Sequence, residues 1–149
     1  MERKVEQRGL KRTLLWVNAN KSPFEGEWAL LYSPISLAET EIIWVKSYYE
    51  FIGWIEMHGL PTAISIDFHL GDKELTLERE WSKELNTYLP NITYQERTGY
   101  TCVIWLTALC KDLNVRLPKY RSQAAIPTQR FLIKNLLDRY ERHYTNFKQ

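Results

Sequence analysis

The sequence is poor in the residues that define several classes of protein. Its 149 residues include two cysteines and three histidines, and the absence of a Cys-x-x-Cys pair excludes the common zinc and dithiol motifs. Cys102 and Cys110 lie in a helical pattern, where two turns (~12 Å) separate them too far for a disulfide. We therefore expect both to be small core residues in a reducing compartment.

Long apolar runs and strong net charge are also missing. No stretch approaches the ~20 apolar residues that span a bilayer, and no signal-peptide pattern follows the charged N-terminus. We expect a cytoplasmic protein without membrane contact. The formal net charge of +2 is too small to indicate nucleic-acid binding. Basic residues still cluster near both ends, which predicts either a solvated surface or a patch that attracts a phosphate-bearing ligand. These residues are Arg3, Lys4, Arg8, Lys11, Arg12, Arg130, Lys134, Arg139, Arg142 and Lys148.

What is present predicts a single α/β domain. The length suits one hydrophobic core, with residues 1–12 as a flexible N-terminal tail and residues 13–149 as the domain. Strands alternate with helices over short connections, which favours a mostly parallel sheet in a three-layer sandwich. The predicted strands are Thr13–Asn18, Glu41–Val45, Ala63–Asp67 and the weaker Lys119–Gln123.

The helices are predicted from their caps and apolar stripes. Ser47 with Glu50 forms a capping box, and Gly59 is placed to end that helix. Thr98 precedes a helix whose apolar stripe runs to Leu113, and Pro127 begins the last helix.

Two segments lack a clear period. Trp28–Tyr32 is predicted as a short strand within the irregular stretch before Thr40. Residues 73–97 carry leucines and Trp81 at near-helical spacing, so we predict a partly helical insertion over the carboxyl edge of the sheet.

The most informative segment is Ile64–Gly71, in which a buried strand ends in Asp67. A carboxylate at the carboxyl end of a parallel strand is typical of ligand sites in open α/β sheets. Asp67 can bind a cation, act as a general base or accept a phosphoryl group; alternatively it forms a turn. An imidazole can transfer protons, so His69 gains a role as a proton-transfer group beside this carboxylate.

Other polar residues are expected to converge on the same edge. Asn18 and Lys21 follow the first strand, while Arg121 and Ser122 end the last one. Lys21 and Arg121 can bind a phosphate, the arginine in bidentate fashion, and Ser122 can donate a hydrogen bond to it. Each is also an ordinary surface residue.

Several motifs occur in one order along the chain: Val45–Phe51, Gly59–Pro61, Ile64–Gly71, Thr98–Tyr100 and Trp105–Leu106. In this order they resemble the cyclic-phosphate processing receiver-like domains, relatives of response-regulator receiver domains. The resemblance extends from about Thr13 to about Leu137 and implies a receiver-like (flavodoxin-like) fold.

The site motifs of that family are only partly kept. Of its Asp-His-Asp-Leu-Gly element, Asp67, Leu70 and Gly71 match, whereas Phe68 replaces the His and His69 replaces the second Asp.

Elsewhere the losses are greater. The family's Asp-Asp pair with its following Arg and Pro corresponds here to Asn18, Ala19, Lys21 and Pro23, and only Ser122 remains of a His-Ser-x-Asn-Pro element. A divalent cation requires several hard oxygen ligands. We therefore expect no cofactor and no metal site, with at most weak divalent-cation binding at Asp67.

The resemblance implies a divergent member that binds a phosphate-containing small molecule or nucleotide with weakened or lost catalysis. One alternative is an active, metal-independent phosphoesterase that uses Asp67 and His69. A second is a protein-interaction module on the receiver scaffold, which the six tryptophans and nine tyrosines suggest.

Overall fold

A computed structural model describes the backbone of residues 11–148 and the side chains of this range except those at 72–78, 80, 90–96 and 145–148. The predicted flexible tail therefore lies outside the described residues, apart from its last two positions. The elements in chain order are β1 (Arg12–Val17), α1 (Trp28–Tyr32), β2 (Thr40–Val45), α2 (Tyr48–His58), β3 (Ala63–Ile66), β4 (Asp72–Ser82), β5 (Thr87–Arg97), α3 (Gly99–Leu113), β6 (Lys119–Ser122) and α4 (Pro127–Lys148).

Four strands form a parallel sheet in the order β2-β1-β3-β6. Leu14 of β1 lies opposite both Ile42 of β2 and Ala63 of β3, and Ala63 lies opposite Lys119 of β6. The predicted α/β class and the mostly parallel sheet are confirmed. All four strands end at one edge, here called the carboxyl edge.

The two faces of the sheet carry separate hydrophobic clusters, because alternate residues of a strand point to opposite faces. Leu15 and Val17 of β1 join the larger cluster, which includes residues of α2, α3 and α4. Leu14 and Trp16 join the smaller cluster, which is covered by α1 and its flanking loops. Both cysteines are buried and neither forms a disulfide, as predicted.

Helix α2 begins and ends as the sequence predicts. The Ser47 side chain accepts a hydrogen bond from the Glu50 amide, and the amide of Gly59, at φ 89°, donates to Ile55. The Glu50 carboxylate accepts from the Lys46 amide rather than from that of Ser47. The second hydrogen bond of the capping box is therefore made by the amide of the residue before the N-cap.

Segment Trp28–Tyr32 is a single helical turn, so the predicted strand is wrong. The amide of Leu31 donates to the carbonyl of Glu27, and the rings of Trp28 and Tyr32 stack 6.1 Å apart. Four-residue spacing brings these two rings onto one face of a helix, and Ala29 packs toward the sheet.

The insertion is a β-hairpin, which corrects the partly helical prediction for residues 73–97. Strands β4 and β5 pair antiparallel from Asp72 opposite Arg97 to Ser82 opposite Thr87. A spacing of four residues satisfies a strand as well as a helix, so the leucine pattern does not distinguish them. Near the turn, the rings of Trp81 and Tyr88 meet edge to face at 5.1 Å.

No helix among residues 11–148 combines the length and the apolar character needed to cross a membrane.

Candidate functional site

The carboxyl edge brings three strand ends together. The Asn18 amide donates to Val45, the Asp67 amide donates to Val17, and the Gln123 amide donates to Ile66. Asn18, Asp67 and Gln123 are therefore neighbours across the sheet. Of the residues predicted to meet here, Asn18 and Asp67 lie at these strand ends.

Asn18 is held at both ends of its side-chain amide. The residue is 6 % exposed, its Oδ1 accepts hydrogen bonds from the amides of Asn20 and Lys21, and its Nδ2 donates to Gln123 at 2.7 Å. Gln123 in turn donates to the hydroxyl of Ser65, and Ser65 donates to the carbonyl of Tyr32. This polar chain joins β1, β3 and β6 beneath the carboxyl edge.

Asp67 occupies a half-buried position beside the N-terminus of α3. The amide of Gly99 donates to the carbonyl of Phe68 at 2.7 Å, and a Cβ built on Gly99 would overlap the carbonyl oxygen of Asp67. Burial raises the pKa of the Asp67 carboxyl, against the opposing effects of a Phe68 backbone hydrogen bond and the charges of His69 and Lys21. Asp67 therefore keeps its proton to a higher pH than an exposed aspartate.

His69 lies on the surface next to the first turn of α4. Its Nε2 accepts a hydrogen bond from Nε2 of Gln129 at 2.9 Å, and its ring meets that of Phe68 edge to face. Its electrostatic effect on Asp67 places the two side chains in the same neighbourhood.

Lys21 is anchored on the other side of Asp67. Its ammonium lies 3.6 Å from the centroid of the Trp28 ring, a cation–π contact, and its carbonyl accepts from the indole of Trp16. Lys21 also lowers the pKa of Asp67, so its charge reaches the carboxyl edge.

Arg121 and Ser122 line a different space, here called the β6 cavity. Its volume is about 380 Å³, and the described residues that line it include no acidic residue and neither Asp67 nor His69. The guanidinium of Arg121 lies 5.7 Å from the Tyr32 ring. The lining residues are Tyr32, Tyr120, Arg121, Ser122, Arg130, Ile133 and Lys134.

The cavity lies at the outer edge of β6 and is lined by residues from both faces of the sheet. Among residues 11–148, β6 pairs with β3 alone, and strand alternation places Arg121 toward Tyr32 but Tyr120 and Ser122 toward α4. The cavity and the carboxyl edge are adjacent, because Gln129, which contacts His69, precedes Arg130 of the cavity. The structure thus divides the predicted site into two neighbouring groups.

Sequence reasoning missed the helix side of the cavity. Arg130 and Lys134 lie one turn apart on α4, so they share a face, and the β6–α4 connection brings that face onto Arg121 and Ser122. Both residues belong to the basic cluster noted in the sequence. Gln123 is expected at the carboxyl edge, but its hydrogen bond to Asn18 has no signal in the sequence, because the two residues are 105 positions apart.

The described part of the chain contains no group of three or more His, Cys, Asp or Glu side chains that could hold a metal ion. Comparisons with protein-family models, with curated proteins and with solved structures find no match to this chain.

Proposed function

We propose that this protein binds a phosphate-containing small molecule in the β6 cavity, with weakened or lost catalysis. One observation carries the proposal: Arg121 and Arg130 line one cavity together with the Ser122 hydroxyl and with Lys134, which is paired with Asp138, and no carboxylate is among the described residues that line it. Cations gathered around a concave space attract a multiply charged anion. The volume lies within the ordinary range for small-molecule sites.

The hydrogen bonds of the cavity suit an anion. Arg130 donates one N–H to the carbonyl of Ala124, which positions its guanidinium and leaves its remaining N–H groups for a ligand. The Ser122 oxygen accepts from the Ala124 amide, so its hydroxyl proton can point to a phosphate oxygen. Two arginines can each bind phosphate in bidentate fashion, and Tyr32 and Tyr120 offer aromatic surface to the rest of the ligand.

We also propose that the chain is a divergent receiver-like domain with a three-layer, flavodoxin-like architecture. The parallel order β2-β1-β3-β6 matches the first four positions of the flavodoxin-like order. The glycine of the Thr98–Tyr100 motif has a physical reason, because a residue with a Cβ at position 99 would overlap the carbonyl oxygen of Asp67. Helical segments cover both faces of the sheet.

Weakened catalysis follows from the residues at the carboxyl edge. Asn18 replaces an acidic residue of the resembled family, and its amide is engaged by Gln123 and by two backbone amides. Among the described residues, Asp67 belongs to no group of three or more His, Cys, Asp or Glu side chains, whereas a hard divalent cation requires several oxygen ligands.

The binding proposal is tested by calorimetric titration with 2′,3′-cyclic adenosine monophosphate, adenosine 5′-monophosphate and inorganic phosphate. We expect Arg121→Gln and Arg130→Gln each to weaken binding about tenfold or more, since each removes a charge-assisted contact. Lys119→Gln is the matched control, because Lys119 lies on β6 outside the cavity lining. The proposal fails if none of the three compounds gives heat or a thermal shift, or if both arginine variants bind like the control.

A metal-independent phosphoesterase is the second candidate, favoured by the raised pKa of Asp67 beside His69. A half-buried carboxyl that holds its proton suits general acid catalysis. In that case His69→Ala abolishes hydrolysis of the cyclic compound, while Gln129→Ala, which removes only the neighbour of His69, retains most of it. Equal turnover by His69→Ala and the wild type would contradict this candidate.

A further inference from the structure

A groove of about 620 Å³ runs along the outer surface between α3 and α4, and it shares no lining residue with the β6 cavity. Helix α3 contributes Ile104, Ala108 and Lys111, and helix α4 contributes Leu136, Arg139 and other basic residues. Ile104 is 49 % exposed. The described residues that line the groove include no acidic one.

The groove changes from apolar to basic along its length. Helices α3 and α4 both leave the carboxyl edge of parallel strands, so they run in the same direction. Ile104 and Leu136 lie earlier in their helices than Lys111 and Arg142, which places apolar contacts first and cations after them. A second cavity of about 340 Å³ continues the basic end, since it shares Lys111 with the groove.

Helix α2 exposes a surface of the opposite character. Tyr49, Glu50, Gly53, Glu56 and Met57 all point to solvent, and their spacing places them on one arc of the helix. Tyr49 is 53 % exposed and Met57 is 79 % exposed. This arc therefore combines apolar contacts with two carboxylates.

Gly53 lies at the centre of this arc, and no neighbouring atom requires a glycine there. A Cβ added there would meet nothing within 4 Å, whereas glycine within a helix costs ~1 kcal/mol relative to alanine. A glycine on an exposed helix allows another helix to approach its backbone closely.

We propose that two copies of this chain associate through their helical layers, with α2 of each copy in the α3–α4 groove of the other. Helices α2, α3 and α4 pack on the same face of the sheet, so one two-fold axis can form both contacts at once. Because α2, like α3 and α4, leaves the carboxyl edge, a two-fold axis parallel to the helices brings Tyr49 toward Ile104 and Glu56 toward Lys111 and Arg139. A nucleic acid would leave this apolar floor uncovered, whereas the arc of α2 offers both apolar side chains and carboxylates.

The proposal is tested by light scattering after size exclusion and by sedimentation over a concentration series of the full chain. We expect a dimer that dissociates on raising the salt concentration, because exposed ion pairs are screened. Two variants, Glu56→Lys and the double variant Lys111→Glu/Arg139→Glu, should each weaken the dimer about tenfold or more. Lys46→Glu is the control, since Lys46 lies outside both surfaces.

A mixture of the two variants gives the decisive result. In the mixed pair, α2 of the Glu56→Lys variant would meet the acidified groove of the double variant, and native α2 would meet native groove in the other contact. Dimerisation should therefore return in the mixture although each variant alone is monomeric. Gly53→Gln should also prevent the dimer while leaving helix α2 intact by circular dichroism.

The proposal is overturned by a wild-type protein that stays monomeric at high concentration and low salt. It is equally overturned if the charge variants dimerise like the Lys46→Glu control, or if the mixture remains monomeric.

Discussion

The carboxyl edge and the β6 cavity are neighbours that share strand β6, yet they use polar side chains in opposite ways. At the carboxyl edge, Asn18, Gln123 and Ser65 satisfy one another beneath Asp67. In the β6 cavity, Arg121 and Arg130 direct charge into open space.

The difference shows that the position of a polar residue at a strand end does not by itself define a ligand site. A buried amide must find a partner within the protein, because leaving it unpaired costs ~1–3 kcal/mol. A cation at the surface has no such requirement. Substitutions at the carboxyl edge should therefore reduce stability, and substitutions in the cavity should reduce binding.

The largest expected effect is at Gly99. In Gly99→Ala the new Cβ would overlap the carbonyl oxygen of Asp67 and approach Ile66 at 3.2 Å, so α3 or the Asp67 loop must shift. We expect the free energy of unfolding to fall by about 3 kcal/mol, the upper part of the range for overpacking. Urea denaturation measures this change.

Gly53→Ala is the matched control for that experiment. Gly53 lies in the exposed interior of α2 with nothing near its added Cβ, so alanine should raise the free energy of unfolding by up to ~1 kcal/mol. Both are measured at low protein concentration to exclude association. Equal destabilisation by the two substitutions would show that the contact between Gly99 and Asp67 is not what requires glycine.

A smaller effect is expected at Gln123. Gln123→Ala removes the acceptor of the Asn18 amide and the donor to Ser65, which should lower the free energy of unfolding by ~2 kcal/mol. Gln129→Ala removes a hydrogen bond to the exposed His69 and should change it by less than ~0.5 kcal/mol. A neutral Gln123→Ala would mean that the polar chain does not hold the strand ends together.

The smallest effect is on the pH dependence of stability, where two carboxylates should act in opposite directions. Burial raises the pKa of Asp67, so the native state holds this proton more tightly than the unfolded state does. Stability therefore falls as the pH rises from about 3.8, the ordinary pKa of the group, through the raised value. The Asp67→Asn variant should therefore become more stable relative to the wild type as the pH rises through this range.

Asp138, near the β6 cavity, should show the reverse. Burial pushes its pKa upward, but hydrogen bonds from Lys134 and Tyr120 outweigh this and lower the pKa. The ionised carboxylate therefore stabilises the native state above its ordinary pKa of 3.8, and this stabilisation is lost as the pH falls through the lowered value. Asp138→Asn should lose stability at neutral pH and match the wild type in acid. Denaturation midpoints between pH 3 and pH 7 for both variants test the pair, and parallel curves would contradict the opposite shifts.

The sequence was sufficient for the elements whose signals are local. The parallel strands follow from short apolar runs, and α2 follows from Ser47 and Gly59. Trp28–Tyr32 and the insertion were assigned the wrong type, because their apolar spacing fits both helix and strand and tertiary pairing decides between them.

Prediction of the site was limited for a related reason. Asp67 and Asn18 could be placed at one edge, since parallel strands end together. The hydrogen bond between Asn18 and Gln123 and the position of Arg130 near Arg121 depend on how α4 packs against β6. No pattern within a single segment contains that information.

The outer edge of β6 also affects how the protein behaves when it is concentrated. Among the described strands β6 has a neighbour on one side only, and an unpaired strand edge can recruit a strand from another molecule. Two copies that met along this edge would bring Lys119 and Arg121 of each against the same residues of the other. Like charges on paired strands are destabilising, so the arginine proposed to bind phosphate also protects the sheet from growing into an aggregate.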